Sequence, residues 1–235
     1  MSLINLYDQL PKQYKYNRRT YPAYKDIKID IPSRILAVGS SGSMKTNSVL
    51  SIIIQMACFE RYYIIAADLS EPLYAYLIDT LHEVEKKTEK QIITVSNNVA
   101  DIPKVDDFDK KINNVIIFDD LITEKNLSAV EDIFIRGRKR NITSIFITQS
   151  YTHTPQMIRK NCNYVILKKL DTKRDLKYVL NENSGGADPK KLVNAYLDTV
   201  NSDPLNFFVI DKITTNPNLK FRTNFTGIPF DDLKP

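Results

Sequence analysis

Residues 35–50 have the sequence ILAVGSSGSMKTNSVL. An apolar run leads into a turn rich in glycine and serine, and Lys45 and Thr46 then begin a segment with the composition of a helix. This order of strand, glycine-rich turn, Lys-Thr and helix is that of a phosphate-binding loop, G-x-x-x-x-G-K-[ST]. Backbone N–H groups of such a turn, and of the helix that follows it, point at phosphate groups. We therefore predict a phosphate site here, and a chance Gly/Ser turn is the alternative.

The residues expected to bind a nucleotide at this loop are Gly39, Ser40, Ser41, Gly42, Ser43, Met44, Lys45, Thr46 and Asn47. Lys45 is placed to neutralise the β- and γ-phosphates of ATP, and Thr46 offers a hydroxyl to Mg²⁺. Met44 departs from the pattern, which has glycine immediately before the lysine. A side chain is compatible with this position if the residue has right-handed helical backbone angles, which residues other than glycine adopt freely. The methionine side chain would still crowd the nucleotide and slow turnover.

A second motif is an apolar run that ends in two carboxylates, residues 114–120, with the sequence NVIIFDD. Ligands of open parallel sheets bind outside the carboxyl ends of the strands, so Asp119 and Asp120 are expected at the same edge as the loop. Asp119 would hold Mg²⁺, and Asp120 would orient or deprotonate the attacking water. An ordinary acidic turn is the alternative. Aspartate is one methylene shorter than the glutamate that ATPases often have at this second position, which leaves the role of Asp120 as base open.

A third apolar run, residues 142–148, is followed by Gln149, which could contact the γ-phosphate or orient the attacking water. Arginines precede and follow this run. An arginine supplied to the γ-phosphate of a neighbouring subunit would stabilise the charge of the transition state, and Arg136 and Arg138 are the first choices for it, with Arg159 third. We therefore include Gln149, Arg136 and Arg138 with Lys45 and the acidic pair among the candidate catalytic residues.

The formal net charge of the 235 residues is +5, but this charge is unevenly distributed. Ten lysines and arginines lie between residues 136 and 174, where Asp171 is the only acidic residue. Such a segment suits a groove for nucleic-acid phosphates, and a solvated basic face is the alternative.

The remaining sequence favours an α/β fold with a mostly parallel central sheet flanked by helices. Short apolar, β-branched runs without alternation predict strands buried on both faces at residues 34–38, 62–67, 91–95, 114–119, 142–148 and 164–167. Helices are predicted between them, at residues 45–59, 71–87, 124–136 and 155–161, and another opens at residues 188–189. Residues 1–30 suggest an irregular arm, residues 31–235 the ATPase domain, and residues 207–210 and 219–225 added C-terminal strands.

Cysteine content and hydropathy exclude several classes. Cys58 and Cys162 cannot make a disulfide framework, and no Cys/His cluster indicates zinc, so we expect a reducing compartment. The apolar runs are too short to span a bilayer, and the N-terminus has no secretion-signal pattern.

Together these motifs resemble those of a viral family. The sequence resembles the viral DNA-packaging ATPases of the FtsK–HerA superfamily. The resemblance is carried by residues 39–46, 115–120 and 136–138, by Ile-Thr-Gln-Ser-Tyr at 147–151, and by Pro155 with Ile-Arg-Lys-Asn-Cys-Asn-Tyr at 158–164. These ATPases occur in poxviruses, other large DNA viruses and virophages. The resemblance covers about residues 30–225, and its more specific part is the stretch from residue 147 to residue 164.

The resemblance implies a P-loop NTPase core of the RecA type with an additional strand. It also implies a homo-oligomeric ring, a pentamer or hexamer, that uses ATP and Mg²⁺ to drive double-stranded DNA into a preformed capsid. The implied partners are DNA and a capsid or capsid-vertex protein, and the implied location is the host cytoplasm, at viral factories, or the virion. Two alternatives stay open: an ATP-dependent nucleic-acid-binding assembly switch with little turnover, which Met44 would favour, and a small-molecule kinase, for which no acceptor signature is visible.

Overall fold

The computed structural model describes residues 5–11 and 21–235. The strands in these residues are β1 (Arg34–Val38), β2 (Arg61–Ala66), β3 (Ile93–Ser96), β4 (Asn114–Asp119), β5 (Ile142–Thr148), β6 (Tyr164–Leu167), β7 (Phe208–Asp211), β8 (Phe221–Thr223) and β9 (Thr226–Gly227). They form one sheet in the order β3-β2-β4-β5-β1-β6-β7-β8-β9. All pairs from β3 to β6 are parallel, and β7, β8 and β9 are added antiparallel. The predicted α/β fold with a mostly parallel sheet is confirmed.

The helices of the described residues are α1 (Leu6–Gln9), α2 (Tyr24–Ile27), α3 (Lys45–Met56), α4 (Pro72–Thr88), α5 (Ser128–Arg136), α6 (Gln156–Asn161), α7 (Lys173–Asn183), α8 (Pro189–Ser202) and α9 (Phe230–Leu233). Several begin at recognisable caps. The Glu71 carboxylate accepts the backbone N–H groups of Leu73 and Tyr74 at the start of α4, and Asp188 caps α8 in the same way. The predicted helices differ from this structure mainly in that α5 begins at Ser128 instead of residue 124, α3 ends at Met56 instead of residue 59, and α7 was not predicted. Strand β3, predicted at residues 91–95, is Ile93–Ser96.

The core lies on both faces of the sheet, because the parallel strands alternate their side chains between two helical layers. One face, with Leu36, Phe118 and Phe146, packs against α5, α6, α7 and α8. The other face, with Ile35, Ile117 and Ile145, packs against α3 and α4. Burial on both faces explains why the central strands β1, β4, β5 and β6 are mostly apolar in the sequence.

The predicted arm at residues 1–30 lies partly outside the described residues, which exclude 1–4 and 12–20. Its last part packs on the domain: Tyr21, Ile27 and Ile29 are buried in the second cluster of the core. The guanidinium of Arg222, on β8, is fully buried, pairs with Asp211 on β7 and donates to the carbonyls of Ile27 and Lys28. Residues 21–30 are thereby tied to the added C-terminal strands.

Among the described residues, no helix has both the length and the apolar character needed to cross a membrane.

Candidate nucleotide site

The predicted motifs meet at one edge of the sheet. Strand β1, which leads into the loop, lies between β5 and β6, and β5 also pairs with β4. Because these strands are parallel, their carboxyl ends share an edge, and they bring together the loop, the acidic pair and Gln149. A cavity of about 620 Å³ opens there, lined by Ser41, Gly42, Met44, Lys45, Thr46, Asn47, Ala66, Asp68, Glu71, Leu73, Tyr74, Asp119, Asp120, Thr148 and Gln149.

Backbone contacts to the neighbouring strands hold the loop in place. The N–H of Gly39 donates to Thr148 O at 3.2 Å, and the N–H of Ser40 donates to Lys169 O at 2.8 Å. A side chain at residue 39 would lie 2.6 Å from Lys168 Cβ and from Ser43 Oγ, so glycine is required by close packing. The loop is therefore anchored to both flanking strands before any ligand binds.

Met44 has the backbone conformation that favours glycine. Its φ of 63° and ψ of 33° place it in the left-handed region, so the condition under which a side chain would be accommodated without strain is not met. The turn into α3 requires these angles, which glycine adopts without strain and a residue with Cβ adopts at a cost of about 1–2 kcal/mol. The side chain is 47% exposed and lines the cavity.

Lys45 begins α3 and points back along the loop, where Nζ donates to Ser40 O at 2.8 Å. Burial lowers the pKa of this ammonium, and the negative charges of Asp119, Asp120 and Asp171 act in the opposite direction. Its charge is thus placed between the loop and the acidic strand end, where the β- and γ-phosphates of a bound nucleotide would lie.

Asp119 is the residue with the densest contacts in the site. Its Oδ2 accepts hydrogen bonds from Thr46 Oγ1 at 3.3 Å and from Tyr74 Oη at 2.6 Å. Burial raises the pKa of this carboxyl, while the bond from Tyr74, the charge of Lys45 and the bond from Thr46 counteract that rise. A hydroxyl and a carboxylate oxygen in contact suit Mg²⁺, which is bound through one or two carboxylates together with substrate phosphates. Thr46 and Asp119 are therefore a suitable pair for the metal.

The sequence analysis did not identify Tyr74. This residue lies in the first turn of α4 and is 1% exposed, and its hydroxyl reaches across to the end of β4. Glu71 and Pro72 signal the start of α4, but nothing local to the sequence indicates that this turn faces Asp119. Two further carboxylates that were not predicted, Asp68 and Glu71, also line the cavity.

Asp120 and Gln149 lie together at the mouth of the cavity. Asp120 has a φ of 54° and is exposed, as is Gln149. Gln149 Nε2 lies 3.5 Å from Asp120 Oδ1, which is at the long limit of a hydrogen bond. Both side chains have polar atoms free for a water molecule or a γ-phosphate.

The predicted arginines lie outside this cavity. Arg136 and the short 3₁₀ turn after it precede β5, at the amino edge of the sheet, opposite the loop. Arg136 pairs with Asp132 at 3.0 Å and with Asp106 at 3.2 Å, whereas the exposed side chain of Arg138 has no hydrogen bond or ion pair within residues 5–11 and 21–235. Arg159 is only 11% exposed, pairs with Glu182 at 3.0 Å and lies over the ring of Tyr151.

The basic segment therefore does not form one continuous face beside Gln149. Arg136 to Arg140 and Arg159 precede strands at the amino edge, whereas Lys168, Lys169, Lys173 and Arg174 follow β6 at the carboxyl edge. The charges of Arg136 and Arg159 are balanced by neighbouring carboxylates. The exposed basic groups of Lys169, Lys173 and Arg174 are next to the nucleotide edge.

Comparisons with known proteins agree with this geometry. The model of a family described as "Poxvirus A32 protein" matches residues 23–210. The genome packaging NTPase B204 from Sulfolobus turreted icosahedral virus 2, in complex with ATP-gammaS, superposes with a TM-score of 0.56 at 14% identity, over 82% of this chain and 97% of that chain. The DNA-packaging ATPase B204 from Sulfolobus turreted icosahedral virus gives 0.55 at 14% identity, over 83% and 98%. No curated protein matches the sequence. At such identities the structural matches show the fold, which is that of the P-loop packaging ATPases.

Proposed function

Because this chain belongs to the Poxvirus A32 protein family, we propose that it is an ATP-hydrolysing motor that moves double-stranded viral DNA into a preformed capsid. In family, fold and site residues it is a P-loop ATPase. The observation that carries the proposal is the convergence of Lys45, Thr46, Asp119 and Gln149 on one cavity, beside three exposed basic residues at the same edge of the sheet.

The geometry supports a separate part in hydrolysis for each of these side chains. The loop N–H groups and Lys45 bind the phosphates, and Thr46 with Asp119 would hold Mg²⁺, which supplies charge neutralisation between the β- and γ-phosphates. Asp120 accepts a proton from the attacking water or orients it, and Gln149 holds the water or the γ-phosphate from the other side. Because Asp120 and Gln149 are exposed, water can reach the γ-phosphate end of a bound nucleotide.

The motor would be a ring of five or six copies. Arg138 is the best candidate for the arginine supplied to a neighbour, because its side chain has no hydrogen bond or ion pair within the described part of the chain, and Arg136 and Arg159 are engaged in ion pairs. Lys169, Lys173 and Arg174 are the candidates for contacts with DNA phosphates. A capsid or capsid-vertex protein would be the further partner, in the host cytoplasm or the virion.

The decisive experiment measures ATP hydrolysis with and without duplex DNA. The wild type should turn over ATP faster when DNA is present, Lys45→Ala should lose nucleotide binding and turnover, and Asp120→Asn should retain binding but lose turnover. Matched controls are Lys87→Ala and Asp79→Asn, which alter exposed residues of α4 outside the cavity. Wild-type turnover in Lys45→Ala would refute the proposed site.

Salt titration of DNA binding tests the basic residues at the carboxyl edge. Each lysine or arginine that contacts a phosphate contributes about one unit to the slope of log K against log salt, so Lys173→Ala with Arg174→Ala should reduce it by about two. Lys139→Ala, at the amino edge, is the control and should leave the slope unchanged. If Lys139→Ala were the only change to reduce the salt slope, the DNA contact would lie at the amino edge of the sheet and the proposed contact would be wrong.

Met44 favours a second candidate, an assembly switch that binds ATP and hydrolyses little. Its strained backbone and exposed side chain lie in the part of the loop that surrounds the phosphates. This candidate predicts ATP-dependent oligomerisation without appreciable turnover, so sedimentation and phosphate release measured on the same sample separate the two functions.

A further inference from the structure

The loop that joins β5 to α6, residues 149–155, begins with Gln149 and folds back on itself. The hydroxyl of Thr154 donates to Ser150 O at 2.8 Å, and the N–H of Thr154 donates to Tyr151 O at 3.2 Å. Gln149 is exposed and lines the nucleotide cavity, whereas Tyr151 and Thr154 are buried. The backbone of this β5–α6 loop therefore determines where the Gln149 side chain lies in the cavity.

The β5–α6 loop is tied to both ends of α7. At the first turn of α7, the N–H of Thr152 donates to Asp175 Oδ1 at 3.0 Å. At the last turn, the hydroxyl of Tyr151 donates to Glu182 Oε2 at 2.5 Å and accepts from Asn183 Nδ2 at 3.3 Å. Because α7 begins just after β6, the contact with Asp175 lies at the carboxyl edge of the sheet, where the nucleotide cavity also lies.

Asp175 is a buried carboxylate whose hydrogen-bond donors come from the β5–α6 loop. Its side chain belongs to a residue that is only 6% exposed. Burial raises the pKa of this carboxyl, but hydrogen bonds from Thr152, Ser150 and the backbone of Tyr151 outweigh burial and hold the pKa below its ordinary value. A buried charge is costly unless its hydrogen bonds are kept. Any movement of the loop away from the first turn of α7 would have to break these bonds.

The first turn of α7 also carries exposed basic residues. Lys173 and Arg174 directly precede Asp175, and both are exposed. They are the proposed contacts for DNA phosphates. We infer that Asp175 is a positioning residue, which determines where Gln149 lies in the nucleotide cavity. Through the same turn of α7 it links Gln149 to DNA bound at Lys173 and Arg174, an inference that rests on the proposed motor function.

A link of this kind acts in both directions. If bound DNA shifts the first turn of α7, the β5–α6 loop and Gln149 shift with it, and a γ-phosphate held by Gln149 acts on α7 in the same way. A carboxylate in this position also stabilises the N-terminus of α7 itself. If that were its whole role, Asp175→Ala would lower the Tm and leave the response of turnover to DNA unchanged.

A double-mutant cycle between Asp175 and Gln149, measured with and without duplex DNA, tests the inference. Asp175→Ala should reduce the ratio of kcat with DNA to kcat without DNA by at least about fivefold, and the Kd for ATP should stay at the wild-type value. In a Gln149→Ala background the same substitution should cause little further loss of kcat. Asp188→Ala is the matched control, because it removes a carboxylate that caps α8 and should lower the Tm without changing the ratio.

The conservative variant separates positioning from loss of structure. Asp175→Asn keeps an oxygen that can accept the N–H of Thr152, so it should fold and retain a larger part of the DNA response than Asp175→Ala. Two results would overturn the inference. One is an unchanged DNA response in Asp175→Ala, and the other is an equal loss of kcat in the wild-type and Gln149→Ala backgrounds.

Hydrogen exchange of the wild-type protein gives an answer that does not depend on how a variant folds. Duplex DNA at saturation, without nucleotide, should change amide exchange in residues 149–155, and Lys173→Ala with Arg174→Ala should remove this change. Unchanged exchange in this loop would overturn the inference. Failure of the motor function is recognised separately, because DNA would then not stimulate the wild type at all, whereas failure of the inference alone leaves wild-type stimulation intact.

Discussion

Replacement of Tyr74 by phenylalanine removes one hydroxyl from the centre of the site and leaves the packing of the ring in place. In the native chain this hydroxyl donates to Asp119 Oδ2 at 2.6 Å in a partly buried environment, and among the described residues Thr46 is the only other donor to that oxygen, at 3.3 Å. A hydrogen bond to a charged group is worth about 1.5–3 kcal/mol. If the bond serves to hold Asp119 in place for Mg²⁺, its loss should raise the half-saturating Mg²⁺ concentration by roughly 10-fold to 100-fold.

The assay is a titration of Mg²⁺ against the wild type and Tyr74→Phe, with binding of a fluorescent ATP analogue and ATP turnover as parallel readouts. Binding in EDTA should be similar for the two proteins, because the Tyr74 hydroxyl donates to Asp119, the proposed metal ligand. The control is Tyr21→Phe, which removes a buried hydroxyl bonded to Ile29 O at 2.7 Å, remote from the cavity. Identical Mg²⁺ curves for the wild type and Tyr74→Phe would refute the positioning role of this tyrosine.

Three further substitutions test other features of the site. Met44→Gly should relieve about 1–2 kcal/mol of strain from the left-handed backbone, but glycine also stabilises the unfolded state by about 0.4–1 kcal/mol through its added entropy. The net effect should raise the Tm by a few degrees at most, whereas Met44→Ala, which keeps Cβ, should not raise it. Asp119→Asn should abolish turnover and raise the Tm at about pH 8, because burial raises the pKa of Asp119 above its ordinary value of 3.8 and its charged form destabilises the fold; the gain should shrink as the pH falls through that raised pKa and vanish well below 3.8, where the carboxyl is protonated in the folded and the unfolded chain alike. Arg138→Ala should reduce turnover at an unchanged Tm, and a small amount of it mixed into wild-type subunits should inhibit them, whereas Arg136→Ala should also lower the Tm slightly by breaking two exposed ion pairs.

Strands were more predictable than helices in this chain. The predicted bounds of β1, β4, β5 and β6 agree with the structure, because a strand buried on both faces has to be apolar throughout its length. Helix α7 was missed because its sequence is dominated by charged and amide residues, and only Val179 and Leu180 supply deeply buried apolar side chains. A local signal was present in Thr172, whose side chain accepts the N–H of Asp175 at the start of the helix.

Whether a contact of the site could be predicted depended on how far apart in the sequence the two contacting residues are. The loop and the acidic strand end are contiguous motifs, and the parallel sheet brings them together by topology alone. The contact between Tyr74 and Asp119 depends instead on the angle at which α4 packs over β2 and β4, which no pattern within either segment determines. The left-handed angles of Met44 could have been anticipated, since the pattern has glycine there, but the sequence offers no reason why this chain tolerates the strain.

The separation of the basic residues constrains how copies of this chain can cooperate. Strand β5 has seven residues, so at about 3.3 Å per residue roughly 20 Å separates Arg138, before its start, from Gln149, after its end. This distance is longer than an arginine side chain, and Arg138 therefore cannot act on the nucleotide of its own subunit. In the proposed role it would act only where the amino edge of one copy meets the carboxyl edge of another, which is a head-to-tail contact, and such contacts give a ring when the rotation between copies closes. The exposed residues Lys169, Lys173 and Arg174 lie at the carboxyl edge itself, so the proposed DNA binding and the proposed arginine contact would use different residues and could occur in the same ring.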